Sequence, residues 1–474
     1  MAEKKETKTQ VAVIGGGPGG YAAAFMASDL GMEVTLVDPE ENPGGVCLYR
    51  GCIPAKTLLQ AAKLLWEVES AGEWGIDFGK PRIDLDRLRS WKDEVVTKLT
   101  RGVGQLSKHR KIRHIQGRAR FDDPHSLTIN SEKESSTRVS FNQAIVATGA
   151  RPAALPGVSF DSPRVLDSTK ALELQQVPET LLVVGGGFIG LELGSVYASL
   201  GSRVTIAEMM PGLLPGADRD LVSVFTRHAE DRFEAIMLET AITLEETDQG
   251  IKASFQKQNG TEGRVFEKVL ITVGRRPNTE NLGLENTRVE LNEKGFVKVN
   301  SQQCTAESSI YAVGDVTGGM LLAHEAAHQG RIAAEVIAGR NAAFEPQAIP
   351  VVEYTDPEIA WCGLTENQAQ QQNREVNISR FPWRASGRAA TMGRKDGITK
   401  IISDPDTQRV LGVGIAGPWA GELIGEGALA VEMAATVEDL SLTIHPHPTL
   451  SETLMEAAEA FFGQSTHIYR PKRK

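Results

Sequence analysis

Val11-Ala12-Val13-Ile14-Gly15-Gly16-Gly17-Pro18-Gly19-Gly20 joins an unbroken apolar run to a glycine-rich turn, with an Ala-rich stretch behind it. The apolar run reads as a buried strand and the Ala-rich stretch as a helix. Gly15, Gly17 and Gly20 stand between them in G-x-G-x-x-G spacing. Glycines there permit a tight turn and let the backbone approach a pyrophosphate seated on the helix N-terminus. Asp38 closes the next strand, Glu33 to Val37, where a carboxylate accepts the ribose hydroxyls of an adenosine. A lone glycine triplet says little. Strand, turn, helix, second strand and acid in that order specify a dinucleotide-binding unit.

Shifted by 170 positions the unit returns: Leu181-Leu182-Val183-Val184, then Gly185, Gly187 and Gly190, then Val204-Thr205-Ile206 closing at Glu208. Both acids stand 23 residues after their first glycine. A glycine turn that binds nothing would have to arise twice with the same spacing. The repeat therefore predicts an α/β fold with two Rossmann-like domains. Met209, Met210 and Pro211 follow Glu208 rather than arginines, and a carboxylate repels a 2′-phosphate, so the second site is expected to take NAD rather than NADP.

Between the glycine units lies Gly44-Gly45-Val46-Cys47-Leu48-Tyr49-Arg50-Gly51-Cys52-Ile53-Pro54-Ala55-Lys56, with two of the four cysteines of the chain. Five residues of ideal helix rise roughly 7.5 Å, whereas a disulfide tolerates Cα separations of about 7 Å or less. A bridge thus needs a bent or unwound turn, for which Gly51 supplies freedom. Leu58, Ala62 and Leu65 then recur at helical spacing, which puts Cys52 near a helix start. The positive end of that helix and Lys56 both favour a thiolate there, the form that exchanges with disulfides. A structural disulfide, half a zinc site and two inert thiols are the alternatives. Cys304 and Cys362 are single and far apart, so no second close pair completes four zinc ligands.

GGVCLYRGC followed by IPAK resembles the active-disulfide segment of the flavin-dependent disulfide reductases, the class I pyridine nucleotide-disulfide oxidoreductases, and the whole chain is most similar to members that oxidise dihydrolipoamide. It departs from the usual pattern at Tyr49, Arg50 and Ala55, which leaves both cysteines and the lysine in place. The resemblance implies a Cys47-Cys52 redox disulfide, noncovalent FAD in the first unit and NAD in the second. It implies that Lys56 pairs with Glu192 beside the flavin. From pattern alone Glu192, among Ile189, Leu191 and Leu193, is equally a surface acid. The family's flavin contacts fall here on Lys56, on the backbone near Ala119, on Thr148 and Gly149 of Ala147-Thr148-Gly149, and on Asp315 of Tyr311-Ala312-Val313-Gly314-Asp315, with the helix from about Ala323 aimed at the isoalloxazine. Gly274, in Val273-Gly274-Arg275-Arg276-Pro277-Asn278, ends the NAD unit.

His324-Glu325-Ala326-Ala327-His328 also matches H-E-x-x-H, a zinc motif on a helix. No third ligand follows at the usual spacing, only the distant Glu345 and Glu353, and the flavin reading uses the same helix start; no metal is expected. Near the C-terminus, His447 between Pro446 and Pro448 has a restricted backbone, and Glu452 follows five residues on. A surface histidine without function is the alternative reading. In the family the matching histidine is the catalytic acid/base and the glutamate orients it; Pro446 stands where alanine is usual. The family also implies a homodimer whose active sites combine cysteines of one subunit with the histidine of the other, and service to lipoyl-bearing subunits of 2-oxo acid dehydrogenase complexes. A glutathione reductase-like enzyme is the competing reading, which Glu208 opposes. A mercuric reductase-like enzyme would need a C-terminal cysteine pair that is lacking, and a purely structural subunit would not need Cys47, Cys52, Lys56 and His447.

The 474 residues and 41% hydrophobic content suit about three soluble domains. A formal charge of −10 argues against nucleic acid or another polyanion as partner. Met1 to Glu6 holds charge without an apolar core, so no secretory signal is read, and no apolar run reaches membrane-spanning length; the expected location is cytoplasmic. Residues 57 to 110 read as mostly helical and 112 to 146 as short strands, and Pro152, Pro156 and Pro163 mark a crossover. The expected division is 1–150 for the first FAD segment, 151–279 for the NAD domain, 280–348 for the returning FAD segment and 349–474 for an α+β dimerisation domain. Within the last, strands are expected near Val351, Ile378, Thr399 and Val410 and an amphipathic helix at Ala428 to Met433.

Overall fold

The computed structural model describes residues 5–131, 135–257 and 260–469. The basic end Arg470 to Lys474, expected to be a solvated tail, lies outside them.

The first apolar run forms the strand Lys5–Ile14, with Val11, Ala12 and Val13 fully buried. It lies parallel to Val34–Asp38 on one side and Thr137–Val146 on the other. Arg113–Gln116 extends the sheet beyond Val34–Asp38, and the antiparallel strands Ser126–Asn130 and Arg118–Asp123 continue it at the opposite side. Much later in the chain, Ile310–Ala312 adds in parallel to Thr137–Val146. The first glycine helix, Pro18–Asp29, buries Gly19, Gly20, Ala22, Ala23, Ala24 and Ala27. Its small residues let the backbone of the later helix Ala323–Ile337 come close, so that a Cβ at Gly330 would meet the Gly19 carbonyl oxygen at 2.3 Å.

The second unit repeats this plan. Thr180–Val184 runs parallel to Arg203–Ala207, and Ala235–Met237, Lys268–Ile271 and Val165–Leu166 complete an all-parallel sheet. Ile14 pairs with Val37 and Val184 with Ala207, so Asp38 and Glu208 both sit one residue beyond the last of those pairs. A three-stranded meander, Ala241–Thr247, Gly250–Lys257 and Gly260–Phe266, covers one side.

The C-terminal region is an antiparallel sheet in the order Val351–Glu353, Ile359–Gly363, Val410–Ala416, Ile398–Ser403, Asn377–Pro382. Its apolar face packs with the helices Ala420–Glu432 and Glu452–Phe461 around Trp383, Phe381 and Ile415. The fold is thus α/β with an α+β C-terminal part. On the sheet's other side Lys400, fully buried, donates to Asp218 at 2.6 Å, Asp220 at 2.8 Å and Glu366 at 2.7 Å. Those acids are the only cluster with metal-ligand spacing among the described residues, and Lys400 together with Arg380 already supplies cations to it.

Candidate active site

The cysteine segment folds as two helices broken at one residue. Cys47 lies in Gly45–Arg50, Gly51 separates, and Cys52 is the first residue of Cys52–Ser70. The chain doubles back so tightly that a Cβ on Gly51 would lie 2.9 Å from the Val46 carbonyl oxygen. This is the unwound turn that the five-residue spacing demanded. Pro54 falls in the first turn of the longer helix, where a missing N–H costs nothing. Both thiols are unbridged and half-buried, and they share a hydrogen bond. That bond makes them unequal. Cys47, with burial and the neighbouring Cys52 adding to the effect, is pushed well above the ordinary thiol range. Cys52 is lowered to about 7, by the bond from Cys47 first and the Lys56 ammonium after it, against its own burial.

Tyr49 and Arg50 turn away from the thiols. The Tyr49 hydroxyl donates to the Asn42 carbonyl at 2.9 Å, and Arg50 pairs with Glu40. One helical turn beyond Cys52, Lys56 Nζ donates to both oxygens of Glu192, at 2.7 and 2.8 Å. Glu192 is 4% exposed, so the surface-acid reading of it does not hold. Burial alone would lower the Lys56 pKa, but Glu192 outweighs it and the net shift is upward. The Tyr354 ring sits under Nζ, 4.6 Å from the ring centre, and the Tyr354 N–H donates to Glu192 at 3.3 Å. Glu353, beside it, is a further buried acid. A single-residue alternation in a short strand gave no signal for either.

The two glycine turns are built alike. A Cβ on Gly20 would lie 1.8 Å from the Gly15 carbonyl oxygen, and one on Gly190 2.2 Å from that of Gly185. By contrast a Cβ on Gly17 would meet only Gly45, at 3.9 Å, and one on Gly187 nothing within 4 Å. These are the residues that precede the helices Pro18–Asp29 and Phe188–Ser199. Each turn therefore leaves an open cradle over a helix N-terminus, the shape and polarity that a pyrophosphate needs. Asp38 accepts from the Gly16 N–H at 2.5 Å and Glu208 from the Gly186 N–H at 2.6 Å, which fixes each acid against its turn.

The other expected cofactor contacts gather around the first cradle. Thr148 Oγ1 donates to the Asn278 carbonyl at 2.8 Å, and Asn278 returns a bond to Thr148, which ties the chain at Gly149 to the end of the second unit. Asp315 is pushed upward by burial, against the Arg275 guanidinium 3.5 Å away. Arg275 Nε is itself buried without a hydrogen-bond partner. A buried guanidinium nitrogen left open beside a carboxylate and a glycine cradle suits a bound group carrying phosphates and hydroxyls, as FAD does. Ala323 opens its helix as expected, and Ala119 is buried in Arg118–Asp123 opposite Ile129. Gly274, with φ of +127°, has open space at its Cα.

His447 Nδ1 lies 2.8 Å from Glu452 Oε1, and the second Glu452 oxygen accepts from the Thr449 N–H at 2.7 Å. The imidazole is 70% exposed, and among the described residues no hydrogen bond joins it to the cysteines of its own chain. The histidines of the H-E-x-x-H stretch part company: His324 bonds the Pro350 carbonyl while His328 packs on Phe344. Glu325 turns inward to the Met320 N–H and Gln329.

Comparison with known proteins agrees with this geometry. The family model described as pyridine nucleotide-disulphide oxidoreductase matches residues 9–330, and that of the family's dimerisation domain matches 349–458. The chain is 45% identical over 471 residues to a dihydrolipoyl dehydrogenase of Haemophilus influenzae, covering 99% of this chain and 98% of the relative. It is 46% identical over 460 residues to one from Thermus scotoductus, covering 96% and 98%. Among solved structures, LpdA from Mycobacterium tuberculosis superposes with a TM-score of 0.88 at 28% identity, over 96% of this chain and 99% of that one. RclA from Escherichia coli, an HOCl-induced flavoprotein disulfide reductase, does so with 0.83 at 27%, over 95% and 99%. With two dinucleotide cradles around an unequal cysteine pair and a matching C-terminal domain, the chain belongs to the pyridine nucleotide-disulphide oxidoreductase family.

Proposed function

We propose that this protein oxidises protein-bound dihydrolipoamide to lipoamide through a Cys47-Cys52 disulfide, with NAD⁺ as the final acceptor. The observation that carries the reading is the cysteine pair folded back on itself at Gly51, with Cys52 at a helix start beside the Lys56–Glu192 pair. Thiol–disulfide exchange runs fastest when the departing sulfur is a weak base. At the start of its helix and one turn from the Lys56 ammonium, Cys52 is held toward the thiolate and is the better leaving group, so the incoming sulfur attacks Cys47 and expels Cys52.

An unperturbed thiol, with a pKa near 8.5, is mostly protonated at neutral pH and needs a base. Glu452 holds Nδ1 of His447 and so leaves Nε2 free to take that proton. The second substrate thiol then attacks the mixed disulfide at the substrate sulfur. Lipoamide leaves, and Cys47, whose thiol form is strongly favoured, takes up the proton.

Gly15, Gly17, Gly20, Asp38, Lys56, Ala119, Thr148, Gly149, Asp315 and Ala323 would hold FAD noncovalently, and Gly185, Gly187, Gly190, Glu208 and Gly274 would hold NAD. The flavin supplies a two-electron relay between a dithiol and a nicotinamide, which cannot exchange a hydride directly. A homodimer accords with the matched dimerisation domain. Its partners are lipoyl-bearing subunits of 2-oxo acid dehydrogenase complexes, and its place is the cytoplasm, where a close cysteine pair serves redox chemistry rather than a structural bridge. A glutathione reductase-like activity is disfavoured by Glu208, whose oxygens are fixed by the Gly186 and Met210 N–H groups at the end of the ribose strand.

Anaerobic titration with dihydrolipoamide tests the reading. Two protein thiols should appear per chain and NAD⁺ should reoxidise them; glutathione disulfide with NADPH should not substitute. No thiols formed with dihydrolipoamide would end the proposal.

A further inference from the structure

The loop that carries His447 runs between the helices Val437–Leu442 and Glu452–Phe461. Ile444 is 94% exposed and His447 largely so, yet the side chain of His445 between them is only 5% exposed. Its ring is bonded at both nitrogens. Nδ1 lies 2.8 Å from the Thr443 carbonyl oxygen, and Nε2 lies 2.7 Å from Oε1 of Glu426 on the helix Ala420–Glu432. A carbonyl and an ionised carboxylate only accept, whereas a neutral imidazole donates from one nitrogen alone. His445 therefore carries both ring protons and meets Glu426 as an imidazolium, in a charge-assisted bond of the stronger kind.

With both nitrogens occupied, His445 has no lone pair with which to take a proton from a thiol. It is an anchor rather than a second base. On the other side of His447, Glu452 accepts from the Thr449 N–H at 2.7 Å, and Thr449 Oγ1 donates to the Pro446 carbonyl at 2.8 Å. Only Pro446, His447 and Pro448 stand between the two anchors, and each proline fixes its own φ and confines the residue before it. Glu452 orients the His447 ring. Where the backbone beneath that ring stands is set by the anchors on either side, and the one before it is the His445–Glu426 pair.

We infer that His445 and Glu426 are positioning residues for the exchange reaction: they clamp the His447 loop to the helix Ala420–Glu432 and so place the base without touching substrate. The role of His447 in this inference rests on the function proposed above; the clamp itself does not. A misplacement of about 1 Å can cost roughly 100-fold in rate, so a loop freed at one end should turn over lipoamide about 10- to 100-fold more slowly.

Glu426 is partly exposed, so it can be replaced without opening a cavity in the core. Glu426→Leu removes the acceptor and should lower kcat for lipoamide by that factor with KM little changed. NADH-driven dye reduction, which involves no thiol exchange, should equal wild type. Glu426→Gln is the rescue: its amide donates to Nε2 of a neutral ring whose Nδ1–H still reaches Thr443, and most of the wild-type turnover should return. ¹⁵N spectra of histidine-labelled wild-type holoenzyme, with His445→Phe to assign the signal, read the clamp without substrate and without reliance on any variant's rate. Both His445 nitrogens should be protonated. Equal lipoamide turnover in wild type and Glu426→Leu would overturn the positioning role, and a His445 ring with one bare nitrogen would overturn the clamp. Loss of dye reduction in parallel with lipoamide turnover, or dissociation of the Glu426→Leu dimer in sedimentation, would make the pair a structural brace and overturn the inference as well. Wild-type enzyme inactive toward dihydrolipoamide would end the proposed function, and the positioning role with it, whatever the His445 ring shows.

Discussion

Cys52 is governed by opposing neighbours. The bond from Cys47 and the Lys56 charge pull its pKa down, while burial and Glu192 push it up. The folded value of about 7 lies below the ordinary thiol value of 9.0, so the thiolate is favoured by folding. In the reduced enzyme that contribution is complete above pH 9 and fades as the pH falls toward 7. Exchange should slow as the pH falls, because less of the attacking dithiol is present as thiolate. The neighbours should act with opposite signs. Lys56→Met should raise the Cys52 titration by about one unit, and Glu192→Gln should lower it by a comparable amount. Thiolate ultraviolet absorbance against pH, with Cys52→Ser as the blank, measures both. Shifts of the same sign would mean that the lysine and the glutamate do not act on Cys52 through their charges.

Among the secondary-structure elements, the glycine helices show how far sequence patterns reach. A methyl on Gly20 or Gly190 would be driven into a carbonyl oxygen of its own turn. Gly20→Ala should therefore yield protein with little bound flavin, whereas Gly190→Ala should stay yellow and lose NADH binding. Flavin absorbance of the purified variants and NADH fluorescence titration check the pair; equal loss of flavin in both would contradict two separate cradles. Overpacking of this kind typically costs about 1–3 kcal/mol, so a modest drop in melting temperature should accompany each. These turns were legible because strand, glycines, helix and acid are all local. So was the helix break at Gly51, forced by two cysteines five apart. The strand Ile359–Gly363 was not expected, because a short apolar run between Pro357 and Gly363 has no period to read. Arg275 beside Asp315 and Glu353 beside Lys56 were equally hidden. Those partners are remote in sequence, and a lone polar residue in a short strand looks the same whether it faces solvent or core.

At the scale of the whole molecule, Lys400 ties the C-terminal sheet to the second nucleotide unit through Asp218 and Asp220 at the start of the helix Arg219–Arg232. The lysine is 1% exposed, and its removal takes from the buried Asp218 carboxylate the ammonium that it pairs with. Lys400→Met should destabilise the protein by about 3–5 kcal/mol, seen as a lower midpoint in urea unfolding. A midpoint equal to wild type would mean that Arg380, which also pairs with Asp220 and Glu366, carries the seam alone.

The larger question is how His447 meets the cysteines. It stands exposed on the C-terminal region, bonded only to Glu452 among the described residues, near a surface where Leu442, Ile444 and Met433 are each more than 70% exposed. Such a set of bare apolar side chains marks a surface that another protein covers, and the matched dimerisation domain spans it. If the partner is a second copy, each active site takes Cys47 and Cys52 from one subunit and His447 with Glu452 from the other. A heterodimer of a Cys47→Ser chain and a His447→Gln chain, purified through two different tags, decides the point. With shared sites, one site collects both defects and the other collects none, so activity should return to about half of wild type per dimer while either mutant homodimer stays nearly inactive. If each chain carried its own complete site, every site in the heterodimer would hold one defect, and lipoamide turnover would remain as low as in the homodimers.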